Sequence, residues 1–533
     1  MSATGGDGAA QPAQPRLCAA RAASAPAWRD VLTTAALGAL HSLAFVHTHA
    51  WGLNLVTVAL LTWYVSRATP ARAGLLGLAF GTTWLGCGTW WLFISMHRYG
   101  GLPAWMAGLA VALLAAGMAL LLAAALVAFV RWRRGSPLID ALHFGAWWLL
   151  AELARGALFT GFPWVASGYA FVDSPFAVLA PWVGVYGIGA LTAGLAAAPA
   201  FVRGGVRARL APALMGLIVV AALAITPRAE FTQQSGTLSV ALLQGNVPQN
   251  EKFSLEHLPA VLEWTRARLL EARADLVVGP ETVVPLLPQQ LDPRWWEPIL
   301  EHFRAPGRAA LIGLPLGDEA RGYTNSVAGI SAATASPSAG PERFYRYDKH
   351  HLVPFGEVIP PGFKWFVRLM DIPLGDFNRG ALVAPSFAVR GERIAPNVCY
   401  EDLFGEELAA RFTDVANAPT IFANVSNIGW FGPTSAVEQH LNISRMRTLE
   451  LQRPMLRATN TGATVVIDHR GRVTHALAAH TQGVLEGRVE GRTGVTPFAR
   501  WAAWGGLWPL FGAALVVCGA SLRRRGAQPA APG

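Results

Sequence analysis

The sequence predicts a membrane protein of two parts, a polytopic α-helical bundle of about eight membrane spans and one extracytoplasmic α/β domain. Of its 533 residues, 53% are hydrophobic and only 14% are charged, whereas soluble domains carry about 25% charged residues. Apolar stretches of roughly 20 residues, the length that crosses a bilayer, recur through the first half. Between about 235 and 490 the chain is instead charged and rich in turns, and it is long enough for one α/β domain.

Most of the predicted spans lie in the first half of the chain, and one lies near its end. They cover approximately 31–48, 50–66, 74–95, 103–130, 138–157, 177–201, 209–226 and 500–521. The predicted domains are a cytoplasmic tail (1–29), a membrane domain (30–228), an aqueous domain (235–492), a C-terminal span (498–522) and a second cytoplasmic tail (523–533). The first tail is rich in Gly, Ala and Pro, a composition typical of disorder. Because no small-residue cleavage site follows it, we expect the first span to be an uncleaved anchor.

The net charge of +10 does not indicate a nucleic-acid-binding protein, because the arginines form no single basic patch. They lie in alternate loops, at Arg16, Arg21 and Arg29, at Arg67 and Arg72, at Arg131, Arg133 and Arg134, at Arg203, Arg207 and Arg209, and at Arg523, Arg524 and Arg525. The intervening loops are nearly free of basic residues, with Arg98 as the main exception. Basic loops stay in the cytoplasm, so we expect both ends inside and the aqueous domain outside.

The aqueous domain alternates strand-like and helix-like segments. Apolar or alternating runs bounded by turn residues predict strands at 237–246, 275–282, 309–315, 343–351, 393–402 and 419–427, and a strand pair within 456–473. Apolar residues at helical spacing predict helices at 254–274 and 436–452, with Ser254 as the N-cap of the first. Strands that alternate with helices favour a layered α/β domain, in which reactive side chains gather where strands end.

Glu281, Lys349 and Cys399 each fall at the end of a separate predicted strand. Each has an ordinary alternative, as an exposed carboxylate, an exposed ammonium or a packed thiol, but their shared placement favours one site. A thiol with a pKa of ~8.5 needs a base or a nearby cation to become a nucleophile. A carboxylate can take its proton, and an ammonium can stabilise the oxyanion that forms when sulfur attacks an acyl carbon. The trio therefore predicts acyl transfer through a thioester.

The other cysteines and the paired histidines predict neither a disulfide framework nor a metal site. Cys18, Cys87 and Cys518 lie in the first tail or in predicted spans, away from the aqueous domain. His350 and His351 would point to opposite faces of a strand, and no recognised ligand spacing accompanies them. We therefore expect no metal and no other cofactor.

Three further features have structural interpretations. Glu152 and Arg155, near the end of one span, predict a structural ion pair rather than a functional one. The acidic residues after Cys399 predict a partly solvated helix face, and only the first of them is assigned to the site; they are Glu401, Asp402, Glu406 and Glu407. The apolar segment 360–377 is either a lid over an acyl chain or a loop packed on the domain.

The longer motifs of the chain resemble a known family. They are LLQGNVPQ, GPETVVP, YDKHHLVPFGE, NVCYED, WFGPTSAVEQH and RMRTLELQRPMLRATNTG, with GFPWVASGY in an outer loop of the membrane domain. A Glu–Lys–Cys trio in an α/β domain resembles the nitrilase superfamily, whose fold is an α-β-β-α sandwich. The motifs together are similar to the apolipoprotein N-acyltransferase family of the bacterial inner membrane, in the same order over roughly 31–521.

The resemblance implies roles for the trio and a reaction. Glu281 would be the general base, Cys399 the nucleophile and Lys349 the group that stabilises the tetrahedral intermediate. A fatty acyl chain would move from a phospholipid, with sn-1 phosphatidylethanolamine as the expected donor, to the N-terminal amine of diacylglyceryl-cysteine in an apolipoprotein. The enzyme would need no cofactor and would work as a monomer in the bilayer of the bacterial inner membrane, with its catalytic domain on the periplasmic side.

The resemblance also implies roles for four neighbouring positions. Glu357 would support the catalytic trio. Tyr400 and Glu401 would bind substrate beside the nucleophile, and Trp430 would lie near the lipid entrance.

The chain departs from the family pattern at two places, and two other functions stay open. The family often has Trp at the position of Phe253 and usually has Asp-Ala at Ile428 and Gly429. Neither departure touches the trio, but both bear on the substrate pocket. The alternative functions are a membrane-tethered nitrilase-type amidase that gives its thioester to water, and a non-enzymatic lipid-binding or transport protein. Formation of lysophospholipid and N-acylated peptide would separate the acyltransferase from both.

Overall fold

The computed structural model describes residues 28–202, 205–252, 254–335, 344–359 and 377–523. Phe253, the predicted 360–377 lid up to residue 376, and almost all of both predicted tails lie outside the described residues.

Long helices make up the described part of the chain before the aqueous domain. They are α1 (Trp28–Ser42), α2 (Trp51–Val65), α3 (Pro70–Gly88), α4 (Ala104–Trp132), α5 (Pro137–Ala157), α6 (Ala180–Phe201) and α7 (Val206–Ile225). Their starts follow common capping rules. At α3, for example, the Thr69 side chain accepts a hydrogen bond from the backbone N–H of Arg72, and Pro70 opens the first turn.

Within the described ranges, three helices are long and apolar enough to cross a membrane. They are α4, the stretch Pro175–Phe201 that includes α6, and α7. A C-terminal pair, Pro497–Gly505 and Trp508–Ala520, is bent by 91° and adds a fourth span if the pair forms one. Three or four of the eight predicted spans are thus supported. α1 and α2 have 15 residues each, fewer than the roughly 20 that a straight span needs.

Glycine allows α3 and α4 to pack closely. A Cβ atom at Gly81 would lie 2.8 Å from the Cβ of Ala119, and one at Gly77 would lie 2.7 Å from Cδ1 of Leu126. Small residues at such contacts let helix backbones approach one another in a membrane. Gly77 and Gly81 of α3 therefore lie where α4 leaves no room for a larger side chain.

The aqueous domain is built on two sheets. Its described strands are β1 (Thr232–Gln244), β2 (Leu276–Val278), β3 (Ala309–Asp318), β4 (Gly322–Ser331), β5 (Tyr345–Asp348), β6 (Phe387–Val389), β7 (Glu392–Val398), β8 (Ile421–Ser426), β9 (Met455–Thr459), β10 (Val465–Ile467), β11 (Val473–Ala476) and β12 (Gly483–Gly494). They form two six-stranded sheets, in the orders β12-β1-β2-β3-β4-β5 and β11-β10-β9-β8-β7-β6. In the first sheet β1, β2 and β3 are parallel, and in the second β7, β8 and β9 are parallel.

Helices cover the outer face of each sheet. They are α8 (Leu258–Glu271), α9 (Pro293–Arg304), α10 (Gly405–Ala409), α11 (Ala436–Leu451) and α12 (Pro497–Gly505), and α13 (Trp508–Arg523) ends the described chain. Leu242 and Val425 belong to one buried core between the two sheets. Phe303 of α9 packs on the outside of the first sheet, and Phe498 of α12 packs on the outside of the second. The predicted four-layer α-β-β-α arrangement is therefore confirmed.

The predicted start of the first helix in this domain is wrong. Ser254 is not its N-cap, because α8 begins at Leu258 after His257. Pro259 lies in the first turn of α8. Since proline suits the first turn of a helix, where its missing N–H costs no hydrogen bond, this proline favours a start later than the apolar spacing alone predicts.

Candidate active site

Strand ends bring the predicted carboxylate, ammonium and thiol to one edge of the sandwich. Glu281 follows β2, Lys349 follows β5 directly, and Cys399 follows β7 directly. The Lys349 Nζ atom lies 3.6 Å from Glu281 Oε1 and 2.8 Å from Glu357 Oε2. The charges of Glu281 and Lys349 both act on the Cys399 thiol. The fold thus gathers residues that are more than a hundred positions apart in the sequence, as Glu281 and Cys399 are.

Two protein donors hold the Glu281 carboxylate. The side-chain amide of Asn325 donates to Oε1 at 2.7 Å, and the backbone N–H of Asn427 donates to Oε2 at 2.8 Å. The same Asn325 amide donates to Glu357 Oε1 at 2.6 Å. Each carboxylate oxygen has more than one acceptor site, so Glu281 is oriented by these bonds and can still accept a proton.

The Cys399 thiol is held in its protonated form at neutral pH. Burial and the negative charge of Glu281 raise the pKa of the thiol to about 12, against the opposing effect of the Lys349 ammonium. Because the thiolate is the nucleophilic form, this thiol becomes reactive only when a base removes its proton. The negative charge of Glu281 acts directly on this thiol, and its role as the base stays a prediction.

The backbone of Cys399 is in an uncommon conformation. Its φ is 50°, in the left-handed region that non-glycine residues seldom adopt. Its carbonyl oxygen lies 3.1 Å from the Asn424 side-chain amide and 3.2 Å from His440 Nε2. Strained residues persist only where their surroundings hold them, and they are frequent at active sites.

Lys349 remains a cation at this site. Burial opposes its charge, but the Glu357 and Glu281 carboxylates raise its pKa above the ordinary value. A lysine ammonium donates hydrogen bonds and accepts none. Lys349 therefore has the chemistry to stabilise developing negative charge, and it is not a base.

Glu401 links the strand that carries the thiol to the strand that carries the ammonium. Its Oε2 accepts hydrogen bonds from Val398 N at 2.6 Å and from the Tyr347 hydroxyl at 2.7 Å. Its Oε1 accepts from the backbone N–H groups of His350 at 2.7 Å and His351 at 3.2 Å. The carboxylate thus ties the end of β7 to the end of β5. The substrate-binding role implied by the resemblance stays a prediction.

Tyr400 connects the catalytic domain to the helical part of the chain. Its hydroxyl donates to the carbonyl oxygen of Gly161 at 2.9 Å, within the GFPWVASGY loop. Arg155 donates to two other carbonyls of this loop, at Phe162 (2.9 Å) and Trp164 (2.6 Å). The predicted Glu152–Arg155 ion pair is present, at 3.6 Å. The loop is therefore fixed from both sides.

Two family models match the chain in succession. The one described as Apolipoprotein N-acyltransferase N-terminal domain matches residues 37–198, and the one described as Carbon-nitrogen hydrolase matches residues 239–497. An apolipoprotein N-acyltransferase from Verminephrobacter eiseniae is 52% identical over 483 residues, which are 85% of this chain and 88% of that protein. Another, from Ralstonia nicotianae, is 45% identical over 500 residues, which are 92% of each. The chain belongs to the apolipoprotein N-acyltransferase family.

Membership of this family places the chain among bacterial membrane enzymes of the nitrilase superfamily. It confirms the resemblance that the motifs indicated. Among solved structures, a carbon-nitrogen hydrolase from Helicobacter pylori G27 is 17% identical, with a TM-score of 0.33, and the match covers 52% of this chain and 94% of that one.

Sequence reasoning missed Lys252, a second cation at the candidate active site. Lys252 is buried, and its Nζ donates to the backbone carbonyl of Glu281 at 2.9 Å. Burial lowers its pKa to about 8. Its position soon after β1 was a usable signal, because the loops that follow parallel strands meet at the site edge.

The solvated helix face predicted after the nucleophile is wrong for Asp402. This side chain is fully buried, and it accepts hydrogen bonds from His440 Nε2 at 2.9 Å and from Arg457 Nη1 at 3.1 Å. The segment Cys399–Leu403 is a 3₁₀ turn rather than an α-helix. The two helix types place successive side chains differently, so an α-helical pattern does not predict which acids are buried.

Trp430 lies at the surface of the molecule. It is 40% exposed, and its ring makes an edge-to-face contact with Tyr99 of the helical part, with centroids 5.8 Å apart. The preceding Ile428 and Gly429, which depart from the family pattern, are buried. A lipid entrance at Trp430 stays a prediction.

The two histidines after Lys349 have protein partners. His350 Nδ1 lies 2.8 Å from the carbonyl oxygen of Gly380, and His351 Nδ1 lies 2.8 Å from Glu407 Oε1. Among the described residues, no group of three or more His, Cys, Asp or Glu side chains is placed to hold a metal ion.

Proposed function

We propose that this enzyme moves a fatty acyl chain from a phospholipid, through a thioester on Cys399, to the N-terminal amine of diacylglyceryl-cysteine in an apolipoprotein. One observation carries the proposal. The charges of the Glu281 carboxylate and the Lys349 ammonium, which lie 3.6 Å apart, both act on the thiol of Cys399. The relatives named as apolipoprotein N-acyltransferases support the same reaction.

In the first half-reaction the thiol replaces the alcohol of a phospholipid ester. Glu281 takes the proton from the Cys399 sulfur, and the thiolate attacks the ester carbonyl carbon. Lys349 donates to the oxyanion of the tetrahedral intermediate, in the way that fixed donors stabilise developing charge. As the C–O bond breaks, the protonated Glu281 returns its proton to the leaving oxygen. The products are lysophospholipid and the acyl-enzyme.

In the second half-reaction the amine of the apolipoprotein replaces the sulfur. The neutral amine attacks the thioester carbon, and Glu281 takes the proton that the nitrogen releases. The C–S bond breaks, an amide forms, and the sulfur recovers its proton. Neither half-reaction oxidises or reduces any group, and no cofactor takes part. The donor is proposed to be phosphatidylethanolamine, used at its sn-1 position.

The residues around the trio have supporting roles in this proposal. Glu357 keeps Lys349 charged and oriented through contacts of 2.8 and 3.0 Å. Tyr400 and Glu401 flank the nucleophile and shape the substrate-binding surface beside it. Trp430, exposed at the boundary with the helical part, borders the lipid entrance.

The proposed location is the bacterial inner membrane, with the catalytic domain on the periplasmic side. The arginine-rich loops that alternate along the first half support this orientation, and the apolar helices α4, α6 and α7 support a multi-pass chain. We further propose about eight spans, the domain limits 30–228, 235–492 and 498–522, and a monomeric enzyme.

The test is intact-protein mass spectrometry after incubation with phospholipid. We expect a fatty-acyl mass addition on Cys399, followed by transfer to a diacylglyceryl-cysteine peptide with release of lysophospholipid. Cys399→Ala removes the addition entirely. Glu281→Gln lowers its rate about 10²–10⁴-fold, the usual contribution of a general base. Glu271→Gln, which changes an exposed carboxylate on α8, is the matched control and retains the rate.

Two outcomes would overturn the proposal. If the Cys399→Ala variant still transferred the acyl chain, the reaction could not pass through a thioester on Cys399. Release of free fatty acid and ammonia from amides, without an N-acylated peptide, would instead identify the membrane-tethered amidase.

A further inference from the structure

A buried polar cluster lies directly behind Cys399. It consists of Asp402, His440, Ser444 and Arg457, whose exposed fractions are 0%, 1%, 0% and 1%. Ser444 and Arg457 Nη1 both donate to Asp402 Oδ2. The cluster is internally paired, and His440 reaches from it to the carbonyl oxygen of Cys399.

The contacts of His440 determine where its proton lies. Arg457 Nη2 lies 3.2 Å from His440 Nδ1, and a guanidinium can only donate hydrogen bonds, so Nδ1 must accept. The hydrogen is therefore on Nε2, which lies 2.9 Å from Asp402 Oδ1 and 3.2 Å from the Cys399 carbonyl oxygen. Geometry assigns a neutral imidazole whose Nε2–H group is shared between these two acceptors.

A cysteine, a histidine and an aspartate thus lie together without forming a catalytic triad. A histidine base needs a free ring nitrogen facing the thiol. Both ring nitrogens of His440 are occupied, one by Arg457 and the other by Asp402 and the backbone oxygen of Cys399. His440 therefore cannot take the proton of the sulfur.

What His440 holds is the peptide group that follows the nucleophile. Cys399 has a φ of 50°, and its carbonyl oxygen receives the His440 N–H together with the Asn424 amide at 3.1 Å. Rotating Cys399 to a relaxed backbone conformation would turn this oxygen away from both donors. The two hydrogen bonds oppose that rotation and so keep the sulfur aimed at the site.

The helix turn that carries His440 is fixed on its other side. Gln439 accepts hydrogen bonds from the indole N–H groups of Trp91 at 3.0 Å and Trp164 at 2.8 Å, and it donates to the carbonyl oxygen of Gly88 at 3.0 Å. The Trp164 ring also packs on His440, with centroids 5.4 Å apart. The helical part of the chain thus fixes the position from which His440 reaches Cys399.

We propose that His440 is a positioning residue of the transfer reaction, which as a neutral imidazole holds the Cys399 carbonyl and keeps the nucleophile in its left-handed conformation. This role rests on the proposed function of Cys399 as the nucleophile. It is distinct from the proton transfer by Glu281 and the charge stabilisation by Lys349.

The experiment compares two substitutions that differ in hydrogen bonding. His440→Phe keeps a ring and removes the donor, whereas His440→Gln keeps an N–H group near the position of Nε2. The rate of acyl-enzyme formation is measured across pH by intact-protein mass. We expect a loss on the order of 10²-fold in His440→Phe, as for a reacting group displaced by about 1 Å. His440→Gln should recover most of that loss.

Two readouts separate positioning from other roles. The shape of the pH–rate profile should be unchanged in His440→Gln, because Glu281 remains the base. Alkylation of Cys399 by iodoacetamide should retain its pH dependence in both variants, which shows that the thiol still ionises as before. His302→Gln, on α9 in the outer layer of the first sheet, is the matched control and should behave as the unsubstituted enzyme.

Several results would overturn the inference. Equal loss in both variants, with a changed pH–rate profile, would make His440 a base. Unchanged acylation rates in both variants, with only a lower melting temperature, would make it structural. If His440→Phe does not fold, His440→Gln decides, and its inactivity despite normal folding would contradict positioning. An unsubstituted enzyme that gains no acyl mass on Cys399 would instead contradict the proposed function.

Discussion

At the scale of single residues, burial and a neighbouring carboxylate keep the thiol of the proposed nucleophile, Cys399, in its less reactive protonated form. The Cys399 thiol, with its pKa raised to about 12 by burial and by Glu281, is not a thiolate in the resting enzyme. A protonated thiol is protected from oxidation and from unproductive attack. The same Glu281 that raises the pKa of the thiol is oriented by Asn325 and Asn427 to accept its proton. In the proposed mechanism, one carboxylate therefore both raises the pKa of the thiol and removes its proton.

Lys252 predicts a pH dependence of stability. Burial lowers its pKa to about 8, from an ordinary value of 10.5. At pH 7 the lysine is charged in both the folded and the unfolded state, so the folded enzyme bears the full cost of burying the charge. Between about pH 8 and 10.5 the folded state loses this proton while the unfolded state keeps it, and stability rises. Lys252→Met removes this rise, which amounts to at most about 3 kcal/mol.

The measurement is the melting temperature of the detergent-solubilised enzyme from pH 7 to pH 10. The difference between Lys252→Met and the unsubstituted enzyme should favour the variant most at pH 7 and shrink steadily above pH 8. Arg273→Met, which removes an exposed cation from the loop after α8, should show no such trend. If the melting temperatures of Lys252→Met and the unsubstituted enzyme changed with pH in parallel, the charged form of Lys252 would not be buried in the folded enzyme.

At the scale of helices and strands, the active site depends on where strands end. β2 is parallel to both of its neighbours and β7 is parallel to β8, and loops after parallel strands gather at one edge of a sheet. β5 is antiparallel to β4, and it brings Lys349 to the same site from the edge of the first sheet. The Glu401 carboxylate then joins the ends of β5 and β7 through four hydrogen bonds.

The α3–α4 contact predicts opposite effects for two matched glycine substitutions. A Cβ at Gly81 would lie 2.8 Å from the Cβ of Ala119, whereas a Cβ at Gly117, in the middle of α4, has nothing within 4 Å. Gly81→Ala should therefore destabilise the enzyme by about 1–3 kcal/mol through overpacking. Gly117→Ala should be neutral or stabilise it by up to about 1 kcal/mol, because alanine favours helix. Thermal unfolding in detergent measures both, and a Gly81→Ala variant as stable as Gly117→Ala would contradict the close packing.

At the scale of the whole molecule, the catalytic domain is docked on the helical part by polar contacts close to the nucleophile. Tyr400 bonds to Gly161, and the Tyr169 hydroxyl donates to the carbonyl of Leu403 at 3.1 Å. The backbone N–H of Val185, in α6, donates to a carboxylate oxygen of Glu450 at 2.6 Å. Buried hydrogen bonds of this kind are costly to leave unmade. The turn that begins at Cys399 is therefore shaped by both parts of the chain.

The proposed orientation predicts which loops are accessible from outside the cell. Val415, in the catalytic domain, is 58% exposed, and Val206, at the start of α7, is 75% exposed. In a background without the native cysteines, Val415→Cys should react with a membrane-impermeant maleimide in intact spheroplasts. Val206→Cys should react only once the membrane is opened, since its loop is predicted to be cytoplasmic. The reverse pattern of labelling would invert the topology.

Some features of this enzyme could be predicted from local sequence alone. The alternating and apolar runs predicted most strands of the sandwich, because a strand needs only a short pattern to bury one or both faces. The residue types at the strand ends predicted a thiol, a carboxylate and an ammonium for acyl transfer. Span counting was less successful, since α1 and α2 have only 15 residues each and apolar composition does not by itself set helix length.

What the sequence determined, then, was the two-part organisation, the layered α/β domain and the chemical type of the site. Only the tertiary structure decided that Lys252 is a second buried cation, that Asp402 is enclosed rather than solvated, and that His440 lies within hydrogen-bonding distance of the Cys399 carbonyl oxygen. The physical reason is the same in each case. Burial and hydrogen-bond partners come from segments far apart in the chain, as in the 41 positions between Cys399 and His440, and no local pattern records which distant group will face a side chain.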